Sequence, residues 1–197
     1  HLEHPMIRKT TLAVAGLLFL GTALAAPTKY SFDQSHTVVS FGWNHLGFSN
    51  PTAILSDFTG GVAIDESDLT QSVIQLDFRV VDIDPGHGEF FKHLMSADFF
   101  DAKQYPTGSF ASTSITKTGD DSFKIVGDLT LHGQTHPVTL DATLNKQGKH
   151  PFADVYVMGF DASGTLKRST WGIDKYVPAV SDEITLSITT ELHKPAK

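Results

Sequence analysis

From His36 onward, apolar and polar residues alternate with a period of two in one run after another, and each run stops at Gly, Pro, Asn or Asp. Successive side chains of a strand point to opposite faces, so this pattern predicts strands with one buried face. Eight runs carry it: 36–45, 53–65, 72–82, 107–116, 122–132, 137–146, 153–166 and 182–193. The third is the cleanest, with Ile74, Leu76, Phe78 and Val80 on one face and Gln75, Asp77 and Arg79 on the other. The pair Gly60-Gly61 predicts a bend or bulge in the second. Turn-forming clusters at Thr118-Gly119-Asp120-Asp121, Gly133-Gln134-Thr135 and Gln147-Gly148-Lys149 join the later runs as hairpins, which makes a meander.

The stretch from Gly86 to Tyr105 departs from alternation. Phe90, Phe91, Leu94, Met95, Phe99 and Phe100 recur there at spacings of three to four, which predicts one or two short helices between the third and fourth strands, one side packed on the sheet. The fold expected is all-β: an antiparallel, up-and-down, lipocalin-like β-barrel of about eight strands, since closure removes exposed edges. A β-sandwich is the alternative. A barrel of that size either fills with side chains or holds one small ligand. Gly127, Ala142, Ala162 and Gly164, placed among large inward residues, favour a cavity.

The two ends of the chain change the picture. Residues 1–5 precede a methionine and match nothing that follows, so they read as a remnant outside the natural sequence. Residues 6–25 have the three parts of an export signal: Arg8 and Lys9, an apolar run from Leu12 to Leu20, and the small residues Ala23-Leu24-Ala25-Ala26. The apolar core falls short of the roughly 20 residues of a membrane span, so cleavage after Ala25 is expected, leaving one domain over 26–197, periplasmic and without a permanent membrane anchor. The formal charge of the whole chain is −7, and removing residues 1–25 makes it one unit more negative. That balance argues against nucleic acid as a partner. The chain has no cysteine, so its core has to hold it together without disulfides.

Chemistry is sparse. No Gly-x-Ser-x-Gly elbow, phosphate-binding glycine loop or cysteine nucleophile is present. Neither His132 with His136, about a hairpin turn, nor His87 with His93, six apart, has a spacing that forces two imidazoles onto one metal. Asp65, Glu66 and Asp68, and Asp82 and Asp84 before Pro85, stand where carboxylates cap turns. The expectation is a protein that is not an enzyme, with no catalytic residue, no metal and no cofactor.

Four segments resemble the YceI family of polyisoprenoid-binding proteins: Phe32-Asp33-Gln34-Ser35-His36-Thr37-Val38-Val39-Ser40-Phe41 with Asn44-His45-Leu46; His93-Leu94-Met95-Ser96-Ala97-Asp98-Phe99-Phe100-Asp101 with Tyr105-Pro106 and Phe110; the hairpin Gly127 to Leu140; and, more weakly, Lys167-Arg168 with Trp171-Gly172-Ile173. The resemblance spans essentially all of 26–197. It implies an extended lipocalin-like barrel, usually periplasmic, that encloses a long isoprenoid lipid such as a polyprenyl phosphate, a quinone or a similar amphiphile. Where many members carry Arg-Asp before the His-Leu of the second motif, this chain has Phe90-Phe91.

On this reading the apolar lining is expected from Phe41, Trp43, Leu76, Phe78, Phe110, Leu129, Leu140 and Phe160, which lie on the apolar faces of their strands or near a small neighbour. His36, His45 and His93, at the ends of elements within the matched motifs, are the candidates for the mouth, where an imidazole can donate to a headgroup oxygen, and Arg168 is the candidate cation. The function expected is binding and transport or storage of that lipid. The alternatives are a periplasmic stress or structural protein with a filled barrel, and an enzyme acting on the lipid. An apolar mouth also makes a homodimer conceivable. The sequence leaves open which lipid binds, its headgroup, and its donor and acceptor.

Overall fold

The computed structural model describes residues 26–55 and 57–196. The readings of 1–5 as a remnant and of 6–25 as an export signal lie outside the described residues. Among the described residues the strands are β1 (Thr28–Phe32), β2 (Val38–Gly42), β3 (Thr52–Leu55), β4 (Thr59–Ile64), β5 (Val73–Arg79), β6 (Ile83–Asp84), β7 (Thr107–Lys117), β8 (Ser122–Leu131), β9 (Gln134–Lys149), β10 (Tyr156–Lys167) and β11 (Glu183–His193), with one α-helix, α1 (Gly88–Leu94).

Every pairing is antiparallel, and β1 returns to β11, so the sheet closes. The eleven strands make eight staves, because three staves are broken. β1 and β2 run end to end along β11, pairing Phe32 with Leu192 and Phe41 with Leu186. Their neighbours β4 and β3 do the same along β1 and β2, and β5 and β6 follow along β4 and β3. The result is the eight-stave up-and-down barrel that alternation predicts, rather than a sandwich.

The breaks have local causes. After β1 the Asp33 carboxylate accepts hydrogen bonds from the Ser35 backbone N–H at 2.9 Å and from Ser35 Oγ at 2.6 Å, while His36 N–H donates to the Asp33 carbonyl at 3.1 Å. This turn interrupts the alternation, which is why the first stave starts at Thr28 and not at 36 as the pattern predicts. Beside it, Gln34 Nε2 donates to the Phe58 carbonyl at 2.7 Å and Phe32 meets Phe58 edge-on at 5.2 Å. The expected bulge at Gly60-Gly61 is absent: register runs unbroken from Thr59↔Asp77 to Ala63↔Val73. These glycines instead admit close neighbouring backbone, since a β-carbon at Gly61 would stand 2.7 Å from the Tyr30 carbonyl oxygen. Register shifts fall between Ser112 and Ser114 and between Gly159 and Phe160.

The β8–β9 turn also differs from expectation. It consists of His132 and Gly133, both with positive φ, 51° and 72°, joining Leu131 to Gln134 as a two-residue hairpin loop of primed type. α1 covers only seven residues, and hydrogen-bonded turns carry the chain from Met95 to Tyr105.

Alternation sorts the walls cleanly. Phe123, Ile125, Leu129 and Leu131 of β8 and Ile184, Leu186, Ile188 and Leu192 of β11 face inward, while residues such as Lys124, Asp141, Gln75 and Asp77 face solvent. An apolar inside and a polar outside are the reverse of a membrane-spanning barrel. Among the described residues no helix is long and apolar enough to cross a membrane.

Candidate functional site

The inward faces do not meet. They leave a cavity of about 530 Å³, within the range of small-molecule sites. All eight residues expected as lining border it: Phe41, Trp43, Leu76, Phe78, Phe110, Leu129, Leu140 and Phe160. Two pairs of polar groups in its wall are internally bonded. The Thr37 and Thr190 hydroxyls bond each other at 2.9 Å, and Ser72 Oγ accepts from the Asp65 N–H at 3.1 Å.

The small inward residues act differently from one another. Ala142 and Ala162 are direct register partners on β9 and β10 and border the cavity, leaving room as expected. Gly127 and Gly108 do not leave ligand space. The ring of Phe110 occupies the room above Gly127, and the ring of Phe78 that above its register partner Gly108. At Gly164 a β-carbon would meet the Thr139 carbonyl oxygen at 2.6 Å.

At the end of the barrel where α1 lies, aromatic rings form a mouth. Phe90 packs on Trp43 at 5.6 Å, His93 meets Phe99 edge-on at 4.7 Å and stacks on Tyr176 at 6.5 Å. His45, exposed at the rim, also borders the cavity, and its segment is held to the loop after β10 by bonds from Ser181 N–H to the Asn44 carbonyl at 3.0 Å and from Asn44 N–H to Ser181 Oγ at 2.9 Å. His45 and His93 thus both border the cavity at this end.

Two candidates are not available to a headgroup. His36 lies on the outer wall at the β1–β2 break, with its side chain 63% exposed and Nδ1 2.7 Å from Asp33 Oδ2. The turn that places Asp33 under it points it away from the mouth. Arg168 borders the cavity, but its guanidinium is a clasp: Nε donates to the Ser181 carbonyl at 2.9 Å, Nη1 to Ile173 at 2.7 Å, and Nη2 to Lys175 at 2.9 Å and Val180 at 3.0 Å. Burial lowers its pKa, opposed by Asp182 and Asp174. These bonds hold the loop over 172–182, which brings Tyr176 and Val180 to the cavity.

That loop, with Trp171 and Phe90, is what the sequence reading of the site missed. Trp171 is buried, its indole N–H donating to the Leu129 carbonyl at 3.0 Å and its own carbonyl bonded to His132 Nδ1 at 2.8 Å. The motifs at 127–140 and 167–173 thus meet in space to close one side of the mouth. The only signal for this was their joint occurrence, because a loop has no period.

Residues 30–192 match the YceI-like domain. The chain belongs to the YceI-like family. Among its relatives, a UPF0312 protein of Pseudomonas putida is 39% identical over 189 residues, covering 94% of this chain and 97% of the relative. A UPF0312 protein of Serratia proteamaculans is 36% identical with the same coverage. Among solved structures, BcnA of Burkholderia cenocepacia superposes with a TM-score of 0.73 at 24% identity, covering 81% of this chain and 98% of that one. A polyisoprenoid binding domain from Saccharophagus degradans, implicated in plant cell wall breakdown, superposes with a TM-score of 0.64 at 12% identity, covering 85% and 99%. At those identities the structural likeness carries the fold, and both partners share the closed YceI-like barrel.

Proposed function

We propose that this YceI-like protein binds a long-chain isoprenoid lipid in its barrel and carries or stores it in the periplasm. The observation that carries the reading is the unfilled apolar interior, which opens at a mouth where His45, His93 and Tyr176 supply the polar atoms. A five-carbon isoprene unit gains roughly 4 kcal/mol gross at ~0.8 kcal/mol per CH₂-sized group, so a prenyl tail needs few polar contacts. Ordering the tail takes back much of this, and the mouth is left to orient the head. The polyisoprenoid-binding structural neighbour supports the ligand class.

The protein is on this reading a binder and not a catalyst. The mouth favours an uncharged polar head, such as a quinone, over a phosphate. Arg168 is spent on four carbonyls, Lys175 Nζ stands 3.2 Å from Asp98 Oδ1, and Phe90-Phe91 stands where the family resemblance implies a charged pair. Leu46 and Phe48, 48% and 87% exposed in the loop beside His45, give the mouth an apolar lip suited to meeting a lipid surface or a second copy of the chain.

Mass spectrometry of organic extracts of the protein, purified without detergent from cells that export it, tests the proposal. A stoichiometric prenyl species is expected. If folded protein yields no lipid, and added prenyl quinone and prenyl phosphate both fail to bind, the barrel is a filled structural one.

A further inference from the structure

One cluster on the outer wall takes no part in the cavity. Glu191 and His193 are two residues apart on β11 and share its outer face. Asp33 follows β1 directly, and its N–H donates to the Glu191 carbonyl at 2.8 Å. His36 is brought back over Asp33 by the turn that ends β1. His193 Nε2 lies 3.4 Å from Asp33 Oδ2 and 4.0 Å from Glu191 Oε2, and one ligand atom from each of the three residues falls within 4.8 Å of the others.

His193 Nε2 is shielded from solvent and has no hydrogen-bond partner among the described residues. A polar atom so placed is costly unless something binds it. Two imidazoles and two carboxylates are the donor set of borderline divalent transition metals. A tetrahedral ion with bonds of about 2.0 Å separates its ligands by about 3.3 Å, close to the His193–Asp33 distance. Asp33 Oδ1 is held by Ser35 and leaves Oδ2 to the cluster. His36 Nδ1 lies 2.7 Å from the same Asp33 Oδ2, beside the three.

We infer that Asp33, Glu191 and His193, with His36 as the fourth ligand, form a site for a divalent transition metal of the zinc class. Its place gives it a task. Among the described residues β1 and β11 are the first and last strands, and they share only the pairs Ser31↔His193 and Phe32↔Leu192. A metal there ties the ends of the barrel together at its closing seam.

The test is calorimetric titration of chelator-treated full chain with Zn²⁺, alongside thermal unfolding with Zn²⁺ and with chelator. His1→Ala and His4→Ala are included in every sample so that terminal imidazoles do not contribute. One Zn²⁺ per chain and a rise in unfolding temperature are expected. Both should be lost in His193→Ala and in Asp33→Asn, and His36→Ala should weaken binding by at least the roughly 10–100-fold that loss of an outer-shell partner costs. His36 is exposed, so its variant remains informative if His193→Ala does not fold. Absence of Zn²⁺ binding, binding unchanged in His36→Ala and Glu191→Gln, or equal binding of Ca²⁺ would each overturn the assignment.

Discussion

The ring of Phe110 lies over Gly127 on the neighbouring strand, and a β-carbon at Gly127 would also stand 2.8 Å from the Ala111 carbonyl oxygen. The glycine is thus the seat of an aromatic side chain. Gly127→Ala has to displace the ring into the cavity or part the strands, and overpacking of this kind costs about 1–3 kcal/mol. Urea unfolding should show that loss, and lipid recovered from the folded variant should fall. A variant as stable as the parent would mean that Phe110 has room elsewhere.

Arg168 is 7% exposed and bonds four backbone carbonyls of 173–181. Arg168→Ala leaves those acceptors without donors and frees the loop that carries Tyr176. Bonds to a charged donor are worth about 1.5–3 kcal/mol each, incompletely additive, so a loss of about 3 kcal/mol or more is expected in urea unfolding. Arg168→Lys should recover only part of it, because a lysine lacks the planar fork that reaches several carbonyls at once. If Arg168 instead served a headgroup, the alanine variant would keep its stability and lose only ligand.

The group joining Tyr30, Glu66 and Lys194 gives stability two pH limits. Burial first, then the hydrogen bond and charge of Glu66, raise the Tyr30 phenol above its ordinary value, and the Lys194 ammonium chiefly lowers the Glu66 carboxyl. The unfolded chain gives up the tyrosine proton first, so this contribution is whole below the ordinary phenol value of about 10 and is lost as pH rises past it. Glu66 contributes above the ordinary carboxylate value of about 4.3 and less as pH falls through its lower folded value. Ultraviolet titration should show Tyr30 ionising last of the four tyrosines. Glu66→Gln should cost under about 1 kcal/mol near neutrality, the size of an exposed pair, and converge with the parent in acid. A Glu66→Gln variant that departed further from the parent in acid would refute this.

Phe48 is 87% exposed at the lip of the mouth. If lipid enters there from a membrane, Phe48→Ser should slow transfer of a prenyl quinone from neutral vesicles by several fold and leave equilibrium capacity and urea midpoint unchanged. Equal transfer rates would show that the lip does not meet the donor membrane.

The barrel was legible because its physics is periodic: Ile74, Leu76 and Phe78 fall on one face whichever strand lies beside them. The eight wall residues followed from the same alternation. The breaks were not legible, since the Asp33–Thr37 turn depends on side-chain bonds to backbone and the Phe58 carbonyl on a partner, Gln34, in another stave. Position within a motif was a poor guide to direction, which is why His36 was expected at the mouth and stands on the outer wall. Small size likewise suggested that Gly127 leaves space, where it seats Phe110.

Ala142 and Ala162 face each other across β9 and β10 with the cavity before them, which makes them the place to ask whether the interior is occupied or merely loose. Ala162→Leu adds three carbons to the wall without a polar atom and without touching the mouth. In a barrel that keeps its space for a ligand, the new side chain enters that space: bound lipid falls, while the stripped variant is at least as stable as the stripped parent, gaining up to about 2 kcal/mol from the added burial. In a barrel already filled by its own side chains, the same change overpacks the core and costs about 1–3 kcal/mol with no effect on lipid. Urea unfolding of stripped protein, paired with quantified extraction of unstripped protein, separates the two, because the stability changes have opposite signs.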